Sequence, residues 1–231
     1  MKANKPKTKP PTLLEENELA ARGYSLIAGV DEAGRGALAG PVVAAAVILP
    51  PSPKFKWLKS VRDSKELPKA KRESLFDLIQ SDAIAVNVGI IASQTIDVIG
   101  IVNATRIAMC HAVEQLSTPP DFILIDFLKL PQLRISQKAI VKGDKLCLSI
   151  ACASIIAKVT RDRIMVELDG EHPGYGLADH KGYGTARHVA YLQQYGPSPI
   201  HRHSFAPVID ATQDASLSLE VEEMCGEEAT E

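Results

Sequence analysis

Short unbroken apolar runs take turns with longer stretches of helical spacing along this chain. Tyr24 to Val30 is too short and too rich in β-formers for a helix, and it predicts a buried strand. Pro41 to Leu49 predicts a second, close enough for a hairpin, with Pro50-Pro51-Ser52-Pro53 ending it. Before them, Leu13 to Ala21 predicts a short helix stopped by Gly23. After them, Pro68 is a good first-turn position for a helix through Leu75, Leu78 and Ile79. Ala83 to Ile91 predicts a third strand, and Ser93 to Leu116 is mostly helix, interrupted near Gly100. Phe122 to Ile125 predicts a buried strand ending at Asp126, and Ser136 to Val141 a fifth. Leu146 to about Val166 predicts a helix rich in Ala and Ser, small enough to lie close on a sheet. Thr185 to Gln194 predicts another. A hairpin first, then a helical crossover that allows a parallel strand, gives an α/β fold with a mixed sheet.

Composition divides the chain of 231 residues into a body and two tails. Residues 1–11 carry four lysines and three prolines and predict a disordered basic tail. The net charge is −2, yet from Asp210 onward there are eight acidic residues and no Lys or Arg. Without them residues 1–209 carry a net +6, and a basic body with an acidic tail suits a polyanionic partner. Residues 12–209 are therefore expected to form the working domain and 210–231 an acidic disordered tail. Cys110, Cys147, Cys152 and Cys225 lack CxxC spacing, which suggests neither a zinc site nor a disulfide framework. The longest apolar run, Val42 to Leu49, is far too short to span a bilayer. A soluble, cytoplasmic monomer with reduced thiols is the expectation.

Candidate chemistry lies in carboxylates at strand ends. Asp31 and Glu32 end the first apolar run and lead into Gly34-Arg35-Gly36. Neighbouring strand residues face opposite ways, so the pair serves one site only if the chain bulges or leaves the sheet there. Asp126 ends another apolar strand, where open α/β sheets place their sites, or it is a turn residue. Asp144 just precedes a helix, where Asp is a favoured N-cap, although Ser149 would cap a later start. Asp162, between Arg161 and Arg163, reads as a structural ion pair. His201-Arg202-His203 reads as a terminus of the fold rather than a phosphate contact.

Val30-Asp31-Glu32-Ala33-Gly34-Arg35-Gly36 resembles the opening motif of type 2 ribonucleases H, the bacterial HII branch. Asp63-Ser64-Lys65-Glu66-Leu67, Leu124-Ile125-Asp126, Val141-Lys142-Gly143-Asp144 and Ala153 to Asp162 agree in order. His180-Lys181-Gly182-Tyr183 and Ser204 to Val208 complete the set, from about Leu13 to Val208. The resemblance implies a ribonuclease H-like mixed sheet flanked by helices, with a helical C-terminal extension from about Asp162. It implies that Asp31, Glu32, Asp126 and Asp144 hold two Mg²⁺ or Mn²⁺ ions. It implies cleavage of the RNA strand of RNA–DNA hybrids, and 5′ of single ribonucleotides in duplex DNA, leaving 3′-hydroxyl and 5′-phosphate ends. Gly34, Arg35, Gly36 and Tyr183 would grip a ribose 2′-OH, with Lys65 and Lys181 on phosphates. Phe127-Leu128 depart from the small and polar residues many members carry after the third carboxylate. The HIII branch and a non-catalytic hybrid-binding protein are the alternatives. Gln213, Leu217 and Leu219 resemble, faintly, peptides that dock on a replication sliding clamp, against the plainer reading of an acidic tail.

Overall fold

The computed structural model describes residues 9–212. The chain opens with helix α1 (Leu14–Ala21), then strands β1 (Ile27–Ala33) and β2 (Val42–Ile48). Helix α2 (Lys69–Asp82), strand β3 (Ala85–Ile91) and helices α3 (Ser93–Ile99) and α4 (Ile101–Glu114) follow. Strands β4 (Phe122–Asp126) and β5 (Ser136–Ile140) lead to helices α5 (Gly143–Leu146), α6 (Leu148–Glu171), α7 (Leu177–His180) and α8 (Ala186–Tyr195). No helix among the described residues is long and apolar enough to cross a membrane.

These elements form two compact units. The first comprises the chain up to Ala33, Val43–Ile90 and Thr105–Thr160. It holds a mixed sheet of order β3-β2-β1-β4-β5, in which β1 and β2 are antiparallel and β4 parallel to both β1 and β5. β2, of sequence Val-Val-Ala-Ala-Ala-Val-Ile, is buried along its whole length, as its unbroken apolar run requires. The N-terminal part of α6 lies directly on β1: a Cβ built on Gly29 would stand 2.1 Å from the Ser149 carbonyl carbon. Beneath it Leu19, Ile27, Phe122, Leu124, Ile140, Cys147 and Ile150 share one core. The second unit comprises Gly34–Val42, Ile91–Ala104 and the chain from Arg161. Its core gathers Leu38, Met165, Tyr175, Leu177, Leu192 and Val208.

Three expectations shift. The first strand continues through both carboxylates to Ala33, with regular pairing from Ala28↔Ile48 to Ala33↔Val43 and no bulge. The helix expected from Leu146 is broken at Cys147, which is extended, so Asp144 sits inside the separate turn α5. Neither candidate caps the long helix. Instead Glu16 of α1 does: its Oε1 accepts from Ser149 N at 2.9 Å and Ser149 Oγ at 2.7 Å. Residues 1–8 of the basic tail expected over 1–11, and the clamp-like Gln213, Leu217 and Leu219, lie outside the described residues, whereas Pro11 is buried and residues 206–212 are helical.

Because the approach at Gly29 leaves no room for a side chain, Gly29→Val is expected to destabilise the protein by about 2–3 kcal/mol through overpacking. Urea unfolding measures this, and an unchanged midpoint would mean that α6 does not rest on β1 there.

Candidate active site

Parallel pairing brings two strand-end carboxylates together. β1 and β4 run in register to Val30↔Ile125, and the next step along each strand is Asp31 and Asp126. Both strands are buried up to that point, so the carboxylates emerge from an apolar wall. Asp31 is itself buried, and burial pushes its carboxyl well above the ordinary 3.8, followed by repulsion from Glu32 and then Asp126. Asp31 Oδ1 accepts from Glu32 N at 2.8 Å, and Ser154 of α6 donates its hydroxyl to the same carboxylate. With that proton committed, the Ser154 oxygen accepts from Ser64 Oγ at 2.9 Å, tying the Asp63-Ser64-Lys65 loop to the helix. Glu32, the next residue of this regularly paired strand, is half-buried and acts electrostatically on Asp31.

Asp126 is held by the turn that carries Asp144. Lys142 adopts the left-handed conformation at φ 58, and Gly143 N donates to Asp126 Oδ1 at 2.7 Å. Burial raises the Asp126 carboxyl, while the Gly143 amide and Lys65 pull it back and Asp63 pushes it up. Asp144 is raised by burial, then by Asp63 and Asp126. Asp31, Asp126 and Asp144 are thus gathered, with Glu32 within electrostatic reach. Among the described residues, no three acidic, histidine or cysteine side chains stand close enough to hold an ion without adjustment.

Asp63 belongs to this neighbourhood and was not among the expected site residues. It is buried, accepts from Lys65 N at 3.0 Å through Oδ1, and pairs with Lys145 Nζ at 3.4 Å through Oδ2. Its signal lay in the Asp63-Ser64-Lys65 motif, in which only the lysine was expected to meet the substrate. Lys65 is exposed, and its charge acts on both Asp126 and Asp144.

The second unit contains the remaining candidates. Gly34 has φ +89, and a Cβ there would meet Arg161 Nε at 1.9 Å. Arg161 is fully buried, donating to the carbonyls of Pro41 (2.9 Å), Ala39 (3.0 Å) and Lys181 (2.9 Å). Asp162 supports its charge. Arg202, equally buried, donates to Gly40 O through Nε and Nη2 and to Arg35 O through Nη1 at 3.0 Å. Two buried arginines on backbone carbonyls thus fix the Gly34–Gly40 segment, a role their sequence neighbours did not reveal. Ala37 bridges to Tyr183, and Leu38 N donates to Gly182 O at 2.7 Å, so the Gly-Arg-Gly turn and the Tyr183 loop are joined. Tyr183 is half-buried, with the Arg161 guanidinium 5.3 Å from its ring centre. The Lys181 ammonium folds back onto the Ala178 carbonyl. At Gly36, by contrast, a Cβ would meet nothing within 4 Å.

The ribonuclease HII family model matches residues 28–208. The chain belongs to the ribonuclease HII family. It is 59% identical over 198 residues to ribonuclease HII of Dehalococcoides mccartyi, covering 86% of this chain and 93% of that one. The fold is that of the type 2 ribonucleases H. Ribonuclease H2 of Pyrococcus horikoshii superposes with TM-score 0.69 at 27% identity, over 81% of this chain and 97% of that one. A Bst ribonuclease HIII in complex with Mn²⁺ superposes with TM-score 0.61 at 20% identity, over 84% and 72% of the two chains, a likeness of fold. Ribonuclease HII membership makes this chain a metal-dependent endoribonuclease and removes the HIII branch as an alternative. Within that family setting, Phe127 departs without entering the core: it is 59% exposed at φ 60, whereas Leu128 is buried.

The raised carboxyl of Asp31 sets a sign for stability. Its proton is held more tightly in the folded chain, so ionisation costs stability as pH climbs from 3.8 through the raised value. With a chelator present, Asp31→Asn is therefore expected to raise the melting temperature by several degrees at pH 8, at about 2–4 °C per kcal/mol. The gain should fade toward pH 4. Calorimetry across pH checks this, and a gain independent of pH would contradict a repulsive origin.

Proposed function

We propose that this chain hydrolyses the RNA strand of RNA–DNA hybrids and cuts 5′ of a ribonucleotide, including a single one within duplex DNA. The products carry 3′-hydroxyl and 5′-phosphate ends. The observation that carries the reading is the carboxylate cluster: burial raises the carboxyls of Asp31, Asp126 and Asp144, and Asp126 adds repulsion on both Asp31 and Asp144, with Glu32 acting on Asp31 and Asp63 on the other two. An all-oxygen donor set whose charges repel suits a hard divalent cation such as Mg²⁺ or Mn²⁺. Such an ion keeps several waters and needs only a few carboxylates. Asp31, Glu32, Asp126 and Asp144 would hold it. Two bound ions supply the charge that eases loss of a proton from the attacking water and that offsets charge on the leaving oxygen.

The chain's own groups would position the substrate. Ser154 and the Gly143 amide keep Asp31 and Asp126 in fixed orientations, which spares reorganisation during reaction. Lys65 offers a positive charge to a phosphate beside Asp126 and Asp144. Gly34, Arg35 and Gly36 present backbone groups to the ribose, whose 2′-OH both donates and accepts and marks RNA. Gly36 supports this: a Cβ there would meet none of the described residues within 4 Å, so the backbone is open to a ligand. Tyr183 completes the contact to the sugar, and Lys181 lies beside it in the chain.

Incubating a DNA duplex containing one ribonucleotide with Mg²⁺ or Mn²⁺ and mapping the cut tests the activity. Cleavage 3′ of the ribonucleotide, or none, would refute it. Asp31→Asn and Asp126→Asn are each expected to lose about a thousandfold or more in rate, the scale of several kcal/mol of charge stabilisation. Near-normal rates at saturating metal would remove the residue from its role.

Tyr183→Ala should spare metal binding and slow cleavage, on the order of a hundredfold for a misplaced substrate. The loss should be larger on a lone ribonucleotide, where one sugar carries all the 2′-OH information, than on a continuous hybrid. Single-turnover rates on the two substrates give the comparison, and equal losses would end the recognition role.

A further inference from the structure

Three histidines of the second unit surround the backbone that carries Tyr183. His188 and His201 are fully buried, and their Nε2 atoms stand 3.0 Å apart. Two ring nitrogens at that distance bind only if one carries a proton and the other does not. The remaining contacts decide which. Ser198 N donates to His201 Nδ1 at 2.9 Å, so that nitrogen is an acceptor and the neutral ring carries its proton on Nε2. His201 Nε2–H therefore donates to His188 Nε2. The other side of the His188 ring agrees independently: Nδ1 lies 3.1 Å from the Tyr183 carbonyl, which can only accept, so Nδ1 carries the proton. A single direction of donation runs from Ser198 through both imidazoles to Tyr183. His180 stacks on His188 with ring centres 4.3 Å apart, and its own tautomer is fixed in the same way. Gly182 N donates to His180 Nδ1 at 3.2 Å, leaving Nε2–H for the Tyr175 carbonyl at 2.8 Å.

We propose that His188 and His201 are positioning residues for the reaction: as a neutral relay of fixed tautomers they hold the Tyr183 carbonyl and so aim the side chain that reads the ribose. The inference rests on the role given to Tyr183 above. Apolar side chains would fill the inner face of α8 at less desolvation cost, but they would leave the carbonyl's direction open. Burial, followed by neighbouring histidines, holds both rings down to about 4, so they are neutral at the pH of the reaction. The carbonyl is also bonded by Thr185 N at 2.8 Å, and Thr185 in turn caps α8 by accepting from His188 N at 3.2 Å. The Tyr183 peptide is thus clamped to the first turn of that helix from two sides.

Isosteric substitutions separate this role from simple packing. In His188→Asn the amide nitrogen stands where Nδ1 was and keeps the bond to Tyr183. In His188→Gln the amide reaches toward His201 and abandons the carbonyl. His188→Gln is expected to cut a lone ribonucleotide on the order of tenfold more slowly, the scale of one lost hydrogen bond, with a smaller defect on a continuous hybrid. His188→Asn should recover most of that loss. Equal losses on both substrates, or an Asn variant as impaired as the Gln variant, would overturn the relay. Tyr183→Ala is measured beside them: if it lacks the substrate difference, the sugar-reading role fails and the relay with it. If it shows the difference and His188→Gln does not, the relay alone fails. Nitrogen-15 spectra of the wild-type full chain at neutral pH need no variant that folds. Protonation at Nδ1 of His188 and Nε2 of His201 supports the relay, and any other tautomer or a charged ring overturns it.

Discussion

Like charges at the end of an apolar sheet are the constraint around which the first unit is arranged. Asp31 follows four buried residues of β1 and Asp126 follows four of β4, so neither carboxylate reaches water freely. Burial in a medium of low polarity favours the protonated form, and each neighbour adds repulsion. Ser154, the Glu32 amide, the Gly143 amide and Lys65 all act in the opposite sense, yet burial remains the largest influence on both groups. Such an arrangement costs stability unless positive charge is added. It persists because the surroundings over-determine it: the parallel register fixes Asp31 against Asp126, and α6 presses close enough at Gly29 to deliver Ser154.

The second unit solves a different problem with the opposite charge. Arg161 and Arg202 are buried without a carboxylate as their main partner, and their guanidinium groups instead hold a fan of backbone carbonyls. Desolvation is the main influence on both, and it holds Arg202 down to about 9. In return the Gly34–Gly40 segment, which has no regular structure of its own, is fixed residue by residue. Five rigid donors on a planar group suit that task better than an ammonium would. The histidine relay does for the Tyr183 carbonyl what the arginines do for the turn. In each case buried polar groups supply direction, which apolar packing cannot.

Much of this protein was legible in its residues. The unbroken apolar run of β2 and the crossover before β4 determined a mixed sheet, because strand burial and chain reversal are local in origin. Gly100 interrupting two helices and the small residues of α6 followed from backbone and side-chain preferences alone. Motif order pointed to the family and to the four carboxylates. What tertiary structure decided depends on groups distant in sequence. Ser149 offered itself as a cap, but Glu16, 133 residues away in the chain, closes the helix. A bulge was the condition for Asp31 and Glu32 to serve one site; β1 instead pairs regularly through both, and Glu32 still acts on Asp31 electrostatically. Asp63, Arg161, Arg202 and the paired histidines look like ordinary polar residues in sequence. Their roles arise only when folding removes water and leaves each one a single set of partners.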